Sequence, residues 1–247
     1  MDDMSPDDDA PATGPWSQPW FVIATVALAF IAVLAFVLAL TGPADREAAA
    51  PGPPPKAAGA TQSATGPRAS ACGLAGGEQD VPVVAPARTR WELVGTMAAP
   101  TAPDAHGPGV VDDGFRSCFA HSPVGALYAA VSFWALGTAK PGAEVMERLA
   151  AETVHRARAI RDARAGGDEP ALDRSTTLQV AGFRFVSYDA GTATIDLAVR
   201  VSNGGTASLP TTLQWEDGDW KYVVPSDGDP GVSQLPDLAG YATWVGA

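Results

Sequence analysis

One uncharged apolar run dominates this sequence. Residues 21–40 contain no charged side chain, and thirteen of these twenty residues are Phe, Val, Ile or Leu. At a rise of about 1.5 Å per residue, a helix of this length reaches roughly 30 Å, which is the thickness of the hydrocarbon core of a bilayer. Trp16 and Trp20 precede the run, where indole rings favour the headgroup layer. The sequence therefore predicts a transmembrane helix over residues 21–41.

The acidic start of the chain favours an uncleaved anchor over a secretory signal peptide. A signal peptide begins with positive charge, has a shorter apolar core and ends at small residues. Residues 1–20 instead contain five aspartates and no Lys or Arg. Three alanines at 48–50 resemble a cleavage site, but the acidic start and the length of the run outweigh them. We expect a single-pass protein of the cell membrane.

Two sets of features predict opposite orientations of the anchor. Arg46 and Lys56 follow the run and no cation precedes it, so the positive-inside rule alone would place the C-terminal side in the cytoplasm. That rule weakens when a long domain follows the span. Residues 42–71 form an Ala/Pro/Gly-rich linker, and both cysteines lie beyond it. We therefore expect a cytoplasmic N-terminus and an extracytoplasmic C-terminal domain.

Cys72 and Cys118 are the two cysteines of the sequence, and their state depends on the compartment. They are either two unpaired buried thiols or, in an oxidising compartment, a disulfide. A disulfide would close a loop of about 46 residues, for which the chain-entropy estimate is on the order of 4 kcal/mol. It would hold an extended arm of residues 72–121, which prolines interrupt and in which residues 88–97 resemble a short strand.

Length and charge limit the remaining part of the chain. The acidic tail of residues 1–20, the apolar run and the linker leave about 175 residues, enough for one domain. The formal net charge of −12 argues against direct nucleic-acid binding, which requires a basic surface. We expect the arm to be followed by an α+β domain over residues 122–247.

Helical spacing predicts two helices at the start of that domain. Ser122 followed by Pro123 is typical of a helix N-terminus, and Gly137 can end the helix. Apolar residues lie on nearly all sides of this segment, which indicates a buried helix. A second helix is predicted over residues 142–164, with one apolar stripe and Glu–Arg pairs four residues apart.

Alternation with a period of two then predicts four strands, over residues 177–188, 194–202, 209–215 and 220–224. Within the first, the apolar parity changes at Ala181 and Gly182, which predicts a β-bulge. Turn-forming residues at 189–192, 203–205 and 216–219 connect the strands as hairpins. Helices followed by an antiparallel meander indicate an α+β domain with a curved sheet around a helix.

The strand sequences resemble the nuclear transport factor 2-like (cystatin-like) fold. The segments FRFVSY at 183–188, ATIDL at 193–197 and WEDGDWKY at 215–222 are similar to its three long strands. The resemblance implies a curved antiparallel sheet over helices, with a cone-shaped interior that can hold a ligand. Four aromatic residues would line or plug this cone: Trp134, Phe183, Phe185 and Trp215.

Residues 91–130 resemble single-span proteins of actinobacterial integrative and conjugative elements, through GPGVVD at 107–112 and CFAHSPVGAL at 118–127. Those proteins resemble inner-membrane scaffold subunits of type IV secretion and conjugation machines, which carry this fold outside the membrane. The resemblance, over about residues 72–247, implies a scaffold or interaction protein. The partners it implies are the lipid bilayer, other envelope or conjugation proteins and further copies of this chain.

The sequence offers little catalytic chemistry. It contains no nucleophile elbow, phosphate loop, acid–base pair or metal-ligand spacing, so we expect no catalytic residue, no metal and no cofactor. Near a helix cap, His121 is expected to make a structural hydrogen bond, and His155 to lie on a solvated helix face. We expect no fixed orientation for His106, a turn position for Asp189 and a polar strand face for Asp196. An enzyme of the same fold is the least favoured alternative.

Four arginines within nine residues form the candidate interaction patch: Arg156, Arg158, Arg161 and Arg164. Nearby acidic residues allow the plain interpretation of a charge-laced helix surface. The sharper interpretation is a docking patch for an acidic partner or for anionic lipid headgroups. A ligand-binding or sensory module that uses the cone is the competing function. A cone plugged by side chains would favour the scaffold, whereas an apolar cavity with converging polar groups would favour the ligand.

Overall fold

A strongly curled mixed sheet and three helices make up the part of the chain that the computed structural model describes, residues 69–167 and 175–245. The predicted membrane helix, the acidic tail and most of the predicted linker lie outside these residues. Among the described helices, none has both the length and the apolar character needed to cross a bilayer. The described residues therefore form an α+β fold, as the order of the sequence patterns predicts.

Ten strands and three helices are assigned in the described ranges. In chain order they are β1 (Arg90–Val94), β2 (Met97–Thr101), β3 (Val110–Asp112), β4 (Phe115–Ser117), α1 (Pro123–Gly137), α2 (Gly142–Leu149), α3 (Arg156–Ala165), β5 (Leu178–Tyr188), β6 (Thr192–Val201), β7 (Thr206–Glu216), β8 (Asp219–Tyr222), β9 (Ser233–Gln234) and β10 (Ala242–Thr243).

The main sheet has the order β1-β2-β5-β6-β7-β8, with β10 paired to β5 and β9 paired to β7. Strands β3 and β4 form a separate hairpin. The expectation of an antiparallel sheet was wrong at one junction, because β2 pairs in parallel with the start of β5 at Met97 and Leu178. The sheet is mixed because a hairpin from the arm adds to the edge of the predicted meander.

The bulge predicted in β5 is present. The register between β5 and β6 shifts between Val180 and Gly182, which lets Val180 and Phe183 both be buried. A Cβ on Gly182 would lie 2.8 Å from the carbonyl oxygen of Ala242, so only glycine allows β10 to approach at this point. A second shift, between Phe185 and Ser187, was not predicted.

Helix α1 has the predicted cap and the predicted bounds. The Ser122 hydroxyl accepts a hydrogen bond from the backbone N–H of Gly125 at 3.1 Å, and Pro123 occupies the first turn. Every residue of the helix except Val124 is buried. The helix packs against β2, β4, β6, β7 and β8, so it forms the centre of the hydrophobic core.

The second predicted helix, over residues 142–164, is instead two helices, α2 and α3. Ala150 is extended between them, and the backbone N–H of Ala151 donates to the Tyr222 carbonyl at 2.8 Å. The connection therefore pairs with the free edge of β8, and the Glu216 carboxylate accepts from the N–H of Glu152. Tertiary pairing overrides a helical pattern that contains no Gly or Pro in this stretch.

The arm of residues 72–121 is richer in strands than predicted. Instead of one short strand over residues 88–97, β1 and β2 form a hairpin with a two-residue turn, and β3 and β4 form another. Gly95 is required in the first turn, because it has φ +57 and an added Cβ would lie 2.3 Å from the Thr138 hydroxyl. The β1–β2 hairpin of the arm thus belongs to the main sheet, whereas β3 and β4 form a two-stranded sheet of their own.

Residues 225–245, the crossing segment, follow β8 and were not predicted to contain strands. This segment pairs first with β7 through β9 and then with β5 through β10, so it crosses the outer face of β6. Trp244 then enters the core, where its ring lies 5.6 Å from Phe183 and 5.8 Å from Tyr128. Its indole N–H donates to the Thr89 hydroxyl at 3.1 Å, which connects the crossing segment to the arm.

Candidate functional site

A pocket of about 320 Å³ lies between the three helices and the chain that follows β8. Its apolar lining consists of buried and half-buried side chains, which form its depth: Phe133, Trp134, Val145, Met146, Tyr222 and Val224. Its polar lining consists of half-buried and exposed residues, which form its mouth: His155, Arg158, Asp162 and Ser226. This volume is at the lower end of the range of about 300–1,000 Å³ for small-molecule sites.

The pocket exists because α3 supplies no large apolar side chain to fill it. Helix α2 has one buried apolar stripe, in which Val145 is 2% exposed, and it packs against α1. By contrast, α3 has no buried residue, and the residues it presents to the pocket are one alanine, Ala159, and the polar His155, Arg158 and Asp162. The buried aromatic rings of α1 and β8 therefore line a pocket beneath α3 instead of packing against apolar side chains of that helix.

The polar groups at the mouth are weakly held. Arg158 Nε lies 3.4 Å from Asp162 Oδ2, and the two side chains are 65% and 68% exposed. Such an exposed pair contributes little to stability, because solvent and salt screen it. Burial raises the pKa of Tyr222 to about 12, so its phenol stays neutral at physiological pH. The mouth can therefore exchange its ion pair for a ligand without a large loss of stability.

The four arginines of the predicted interaction patch make different contacts. Arg156 forms an ion pair with Glu152 at 2.6 Å and donates to the carbonyl oxygens of Met146 and Glu147, so it attaches α3 to α2. The exposed Arg164 pairs with Glu147, and Arg158 pairs with Asp162.

Arg161 is exposed and has no ion-pair partner among the described residues. The helix carries four arginines and one aspartate, which leaves a local excess of positive charge on an acidic protein.

The four aromatic residues predicted to line or plug the cone belong to one hydrophobic core, with Trp134 and Phe183 as buried members and Phe185 and Trp215 as half-buried residues packed against it. Trp134 is buried and donates its indole N–H to the Thr211 hydroxyl at 2.8 Å, with its ring at the pocket. Phe183 is fully buried beside Trp244, and Phe185 is half-buried with its ring 6.1 Å from Phe183. Trp215 is half-buried at a distance from these rings and stacks on His121.

His121 is held as the structural residue that its position near a cap predicts. Its ring stacks on Trp215 with centroids 4.0 Å apart and 7° between the planes, and Nε2 bonds to the Ala190 carbonyl oxygen. Its Nδ1 is buried and has no hydrogen-bond partner among the described residues. The ring thus connects the chain before α1 to the β5–β6 turn, through Ala190, and to the end of β7, through Trp215.

The other candidate histidines lie in defined places that the sequence did not predict. The edge of the His106 ring packs on Tyr128, with centroids 5.5 Å apart, and burial lowers its pKa below the usual 6.5. The expectation that nothing orients His106 was therefore wrong. His155 precedes α3 and is half-buried at the pocket mouth, rather than on a fully solvated face.

Asp196 lies on the polar face of β6, as its parity predicts, and it is buried there as an acceptor. It accepts hydrogen bonds from Arg184 at 2.7 Å, from the Ser208 hydroxyl and from the Tyr241 hydroxyl. This network fastens the crossing segment to the outer face of β6. Asp189 has the predicted turn role, since its carboxylate accepts from the N–H groups of Gly191 and Thr192.

Two residues that hold the arm were missed by sequence reasoning. The Asp219 carboxylate accepts from the backbone N–H groups of Cys118 at 3.0 Å and Phe119 at 2.9 Å. The Arg116 side chain is 3% exposed and binds the Glu92 carboxylate and the Pro100 carbonyl oxygen. For Asp219 the DGD sequence of the hairpin was a signal, because its Asp-Gly turn positions the next aspartate facing the arm.

Cys72 and Cys118 form a disulfide in the structure. Cys118 is buried, and the pair joins the beginning of the described chain to the residue before Phe119. Ala71 N–H donates to the Gly218 carbonyl at 2.8 Å, so the same end of the arm also rests on the β7–β8 hairpin. Within the described ranges, no group of three His, Cys, Asp or Glu side chains is arranged to hold a metal ion.

Comparison with known proteins gives one family. The family described as Domain of unknown function (DUF8175) matches residues 52–243, and the chain belongs to it. No curated protein and no solved structure matches the chain. The matched range contains all ten strands and all three helices of the described residues.

Proposed function

We propose that this member of the DUF8175 family is a membrane-anchored, extracytoplasmic scaffold protein, an accessory component of a conjugation-type envelope complex. The observation that carries the proposal is the packing of the domain. Side chains of α1, the curled sheet and Trp244 form one continuous hydrophobic cluster inside the fold. Apart from the pocket beneath α3, this cluster fills the described interior with the domain's own side chains, which leaves the exposed surface for recognition.

The anchor and its orientation are part of the same proposal. The apolar run of residues 21–40 supplies the span, with the acidic tail in the cytoplasm and the linker and domain outside. The disulfide between Cys72 and Cys118 supports the extracytoplasmic placement, because disulfides persist in oxidising compartments. A tether of this kind confines a modest binding surface near its partners and so raises their effective concentration.

We also propose that the domain has the nuclear transport factor 2-like fold. Support comes from the antiparallel meander β5-β6-β7-β8, the bulge near the middle of β5 and the buried helix α1 against the curled sheet. The β1–β2 hairpin, paired in parallel with β5, and the crossing segment are additions to this plan.

Site-specific photocrosslinking in cells tests the scaffold role. A photoreactive amino acid replaces Arg161, which is exposed on α3, and in a matched protein it replaces Arg90, which is exposed on the edge strand β1. Mass spectrometry of the adducts should identify envelope or transfer proteins, or further copies of this chain, from at least one position. Recovery of metabolic enzymes alone from both positions would contradict the proposal.

Thiol labelling tests the orientation independently. Alkylation in intact cells, followed by reduction and a second label, should find Cys72 and Cys118 oxidised. Free thiols at both positions that react with a probe confined to the cytosol would contradict an extracytoplasmic domain, whatever the crosslinking shows.

A second candidate function is ligand binding, and the pocket beneath α3 favours it. The pocket is apolar in its depth and has polar groups at its mouth, which is the usual arrangement of a small-molecule site. It lies beside α1 and under α2 and α3. The bound state would then be reported to partners through the exposed surface of α3.

A further inference from the structure

We propose that the pocket beneath α3 binds one acyl chain of an anionic membrane lipid, with the chain in the apolar depth and the headgroup at Arg158 and Arg161. This inference deepens the second candidate function and rests on it. It does not depend on whether the protein also assembles with envelope partners.

The size of the pocket suits a narrow apolar ligand. Its volume of about 320 Å³ lies within the range of small-molecule sites, and apolar side chains of α1, α2 and β8 line it. A hydrocarbon chain is narrow and flexible, so it can follow such a pocket, with Met146 and Ala159 among the residues that it would contact.

The walls supply the matching chemistry. Phe133, Trp134 and Tyr222 present aromatic surface, and Val145, Met146 and Val224 present aliphatic surface. Each methylene that leaves water for such surroundings should tighten binding about fourfold. Methionine adapts its shape to irregular apolar groups, which suits a flexible chain.

The charge at the mouth selects the headgroup. Arg158 lines the mouth, and Arg161 follows one turn later on the adjacent side of α3. Asp162 opposes an anion, but it is paired to Arg158 only at 3.4 Å and both groups are exposed. An anionic headgroup that displaces Asp162 gains Arg158 and meets the unpaired Arg161. A cation near anionic lipid contributes about 1 kcal/mol, or roughly fivefold in affinity.

The proposed membrane anchor makes the bilayer the source of the chain. The run of residues 21–40 and the described domain are separated by a linker of fewer than thirty residues. A tether of this length raises the effective concentration of lipid for the domain, because the domain cannot diffuse away from the membrane.

Photoaffinity labelling of the full-length chain in phosphatidylcholine nanodiscs tests the inference. The probe is phosphatidylglycerol with a diazirine in one acyl chain, and phosphatidylcholine with the same labelled chain is its matched uncharged counterpart. Peptide mapping separates adducts in the pocket, around residues 133–146 and 222–226, from adducts in residues 21–40. The anionic probe should label the pocket at least fivefold more than the zwitterionic probe.

Two alanines on opposite sides of α3 give a matched pair of variants. Ala159→Trp places an indole in the pocket mouth, whereas Ala157→Trp places it on the exposed side of the same helix. Ala159→Trp should abolish pocket adducts and Ala157→Trp should retain them. Equal labelling of the pocket in both variants would overturn the proposal.

The charge variants remain informative if Ala159→Trp fails to fold. Arg158→Gln should lower labelling by the anionic probe about fivefold, and Asp162→Asn should raise it, while labelling by the zwitterionic probe stays unchanged. Adducts confined to residues 21–40, or equal pocket labelling by both lipids, would overturn the inference. A diazirine fatty acid that labels the pocket when neither phospholipid does would also overturn it, since the source would then be a free acid. None of these results alters the crosslinking or thiol tests of the scaffold role.

Discussion

Helices α1 and α3 show opposite uses of a helix within the same domain. In α1, fourteen of fifteen residues are buried, and the helix is capped by a side chain of its own sequence. In α3, none of ten residues is buried and no side chain caps the N-terminus. The difference indicates that α1 holds the fold together, whereas α3 is a surface element whose sequence is free to serve recognition.

The two helices also differ in the contacts that hold the chain before each of them. The chain leading to α1 is held by the disulfide and by the buried carboxylate of Asp219. The chain leading to α3 is held by the Ala151 N–H, which donates to the Tyr222 carbonyl oxygen, and at the surface by the Glu152 N–H, which donates to the Glu216 carboxylate. Both carboxylates come from the β7–β8 hairpin, so this hairpin contacts the chain before each helix, through a buried carboxylate for α1 and a half-buried one for α3.

A core substitution in α1 should show the largest effect. Leu127 is 0% exposed, so Leu127→Ala leaves a cavity in the hydrophobic core and should lower the free energy of unfolding by about 4 kcal/mol. Arg161→Ala on α3 should change it by less than about 0.5 kcal/mol. Urea unfolding of the full chain in detergent micelles measures both. Similar values for the two variants would contradict the division between a structural and a surface helix.

The two carboxylates of the hairpin offer a second comparison. Asp219→Ala leaves the buried N–H groups of Cys118 and Phe119 without an acceptor, which should cost about 3 kcal/mol. Glu216→Ala removes an exposed contact and should cost less than about 1 kcal/mol. Hydrogen exchange distinguishes the two, because only Asp219→Ala should speed exchange at Cys118 and Phe119. Equal exchange in both variants would refute this role for Asp219.

The residues at the N-terminal cap positions of α1 and α3 provide a third comparison. Ser122→Ala removes the acceptor for the Gly125 N–H and should destabilise the domain by about 1 kcal/mol. His155→Ala at the corresponding position before α3 removes no cap bond and should leave stability nearly unchanged. Thermal unfolding followed by circular dichroism compares them. A larger loss for His155→Ala would show that α3 carries more of the fold than its exposure indicates.

The smallest expected effect is on the pH dependence of the free energy of unfolding, through His106, whose ring packs on Tyr128 of α1. Burial lowers the pKa of His106 in the folded protein, so the unfolded chain takes up its proton first as the pH falls. Its contribution to stability is complete above the usual pKa of 6.5 and is lost as the pH falls below that value toward the lowered folded pKa. His106→Phe keeps a ring against Tyr128 and should weaken this dependence. Unfolding midpoints of both proteins at pH 5 and pH 7.5 provide the test, and an unchanged difference would refute it.

Local patterns predicted the elements whose signals are complete within a few residues. The Ser122–Pro123 cap and the continuous apolar surface identify α1, and the parity change at Ala181 and Gly182 identifies the bulge in β5. The Asp217–Gly218 turn also lies between paired Glu216 and Asp219 as its sequence indicates.

Elements that depend on distant partners were not predictable in the same way. The break between α2 and α3 exists because Ala151 finds the free edge of β8 seventy-one residues later in the chain. Strand β2 was not predicted, because Pro100 interrupts the strand pattern of the β1–β2 hairpin. The hairpin is held in place by pairing with β5 and by the Arg116 side chain, which donates to the Pro100 carbonyl oxygen. The pocket walls come from α1, α2 and β8, and its existence depends on what α3 fails to fill.

The α+β class, the central buried helix, the meander and its bulge follow from the amino-acid sequence alone, because these depend on hydrophobic periodicity, caps and turns within short windows of the chain. The three-dimensional fold was needed to show that the arm joins the sheet in parallel, that the crossing segment brings Trp244 into the core and that α3 stands over an open pocket. Those features depend on pairing and packing between residues far apart in the chain, for which no local pattern carries a signal.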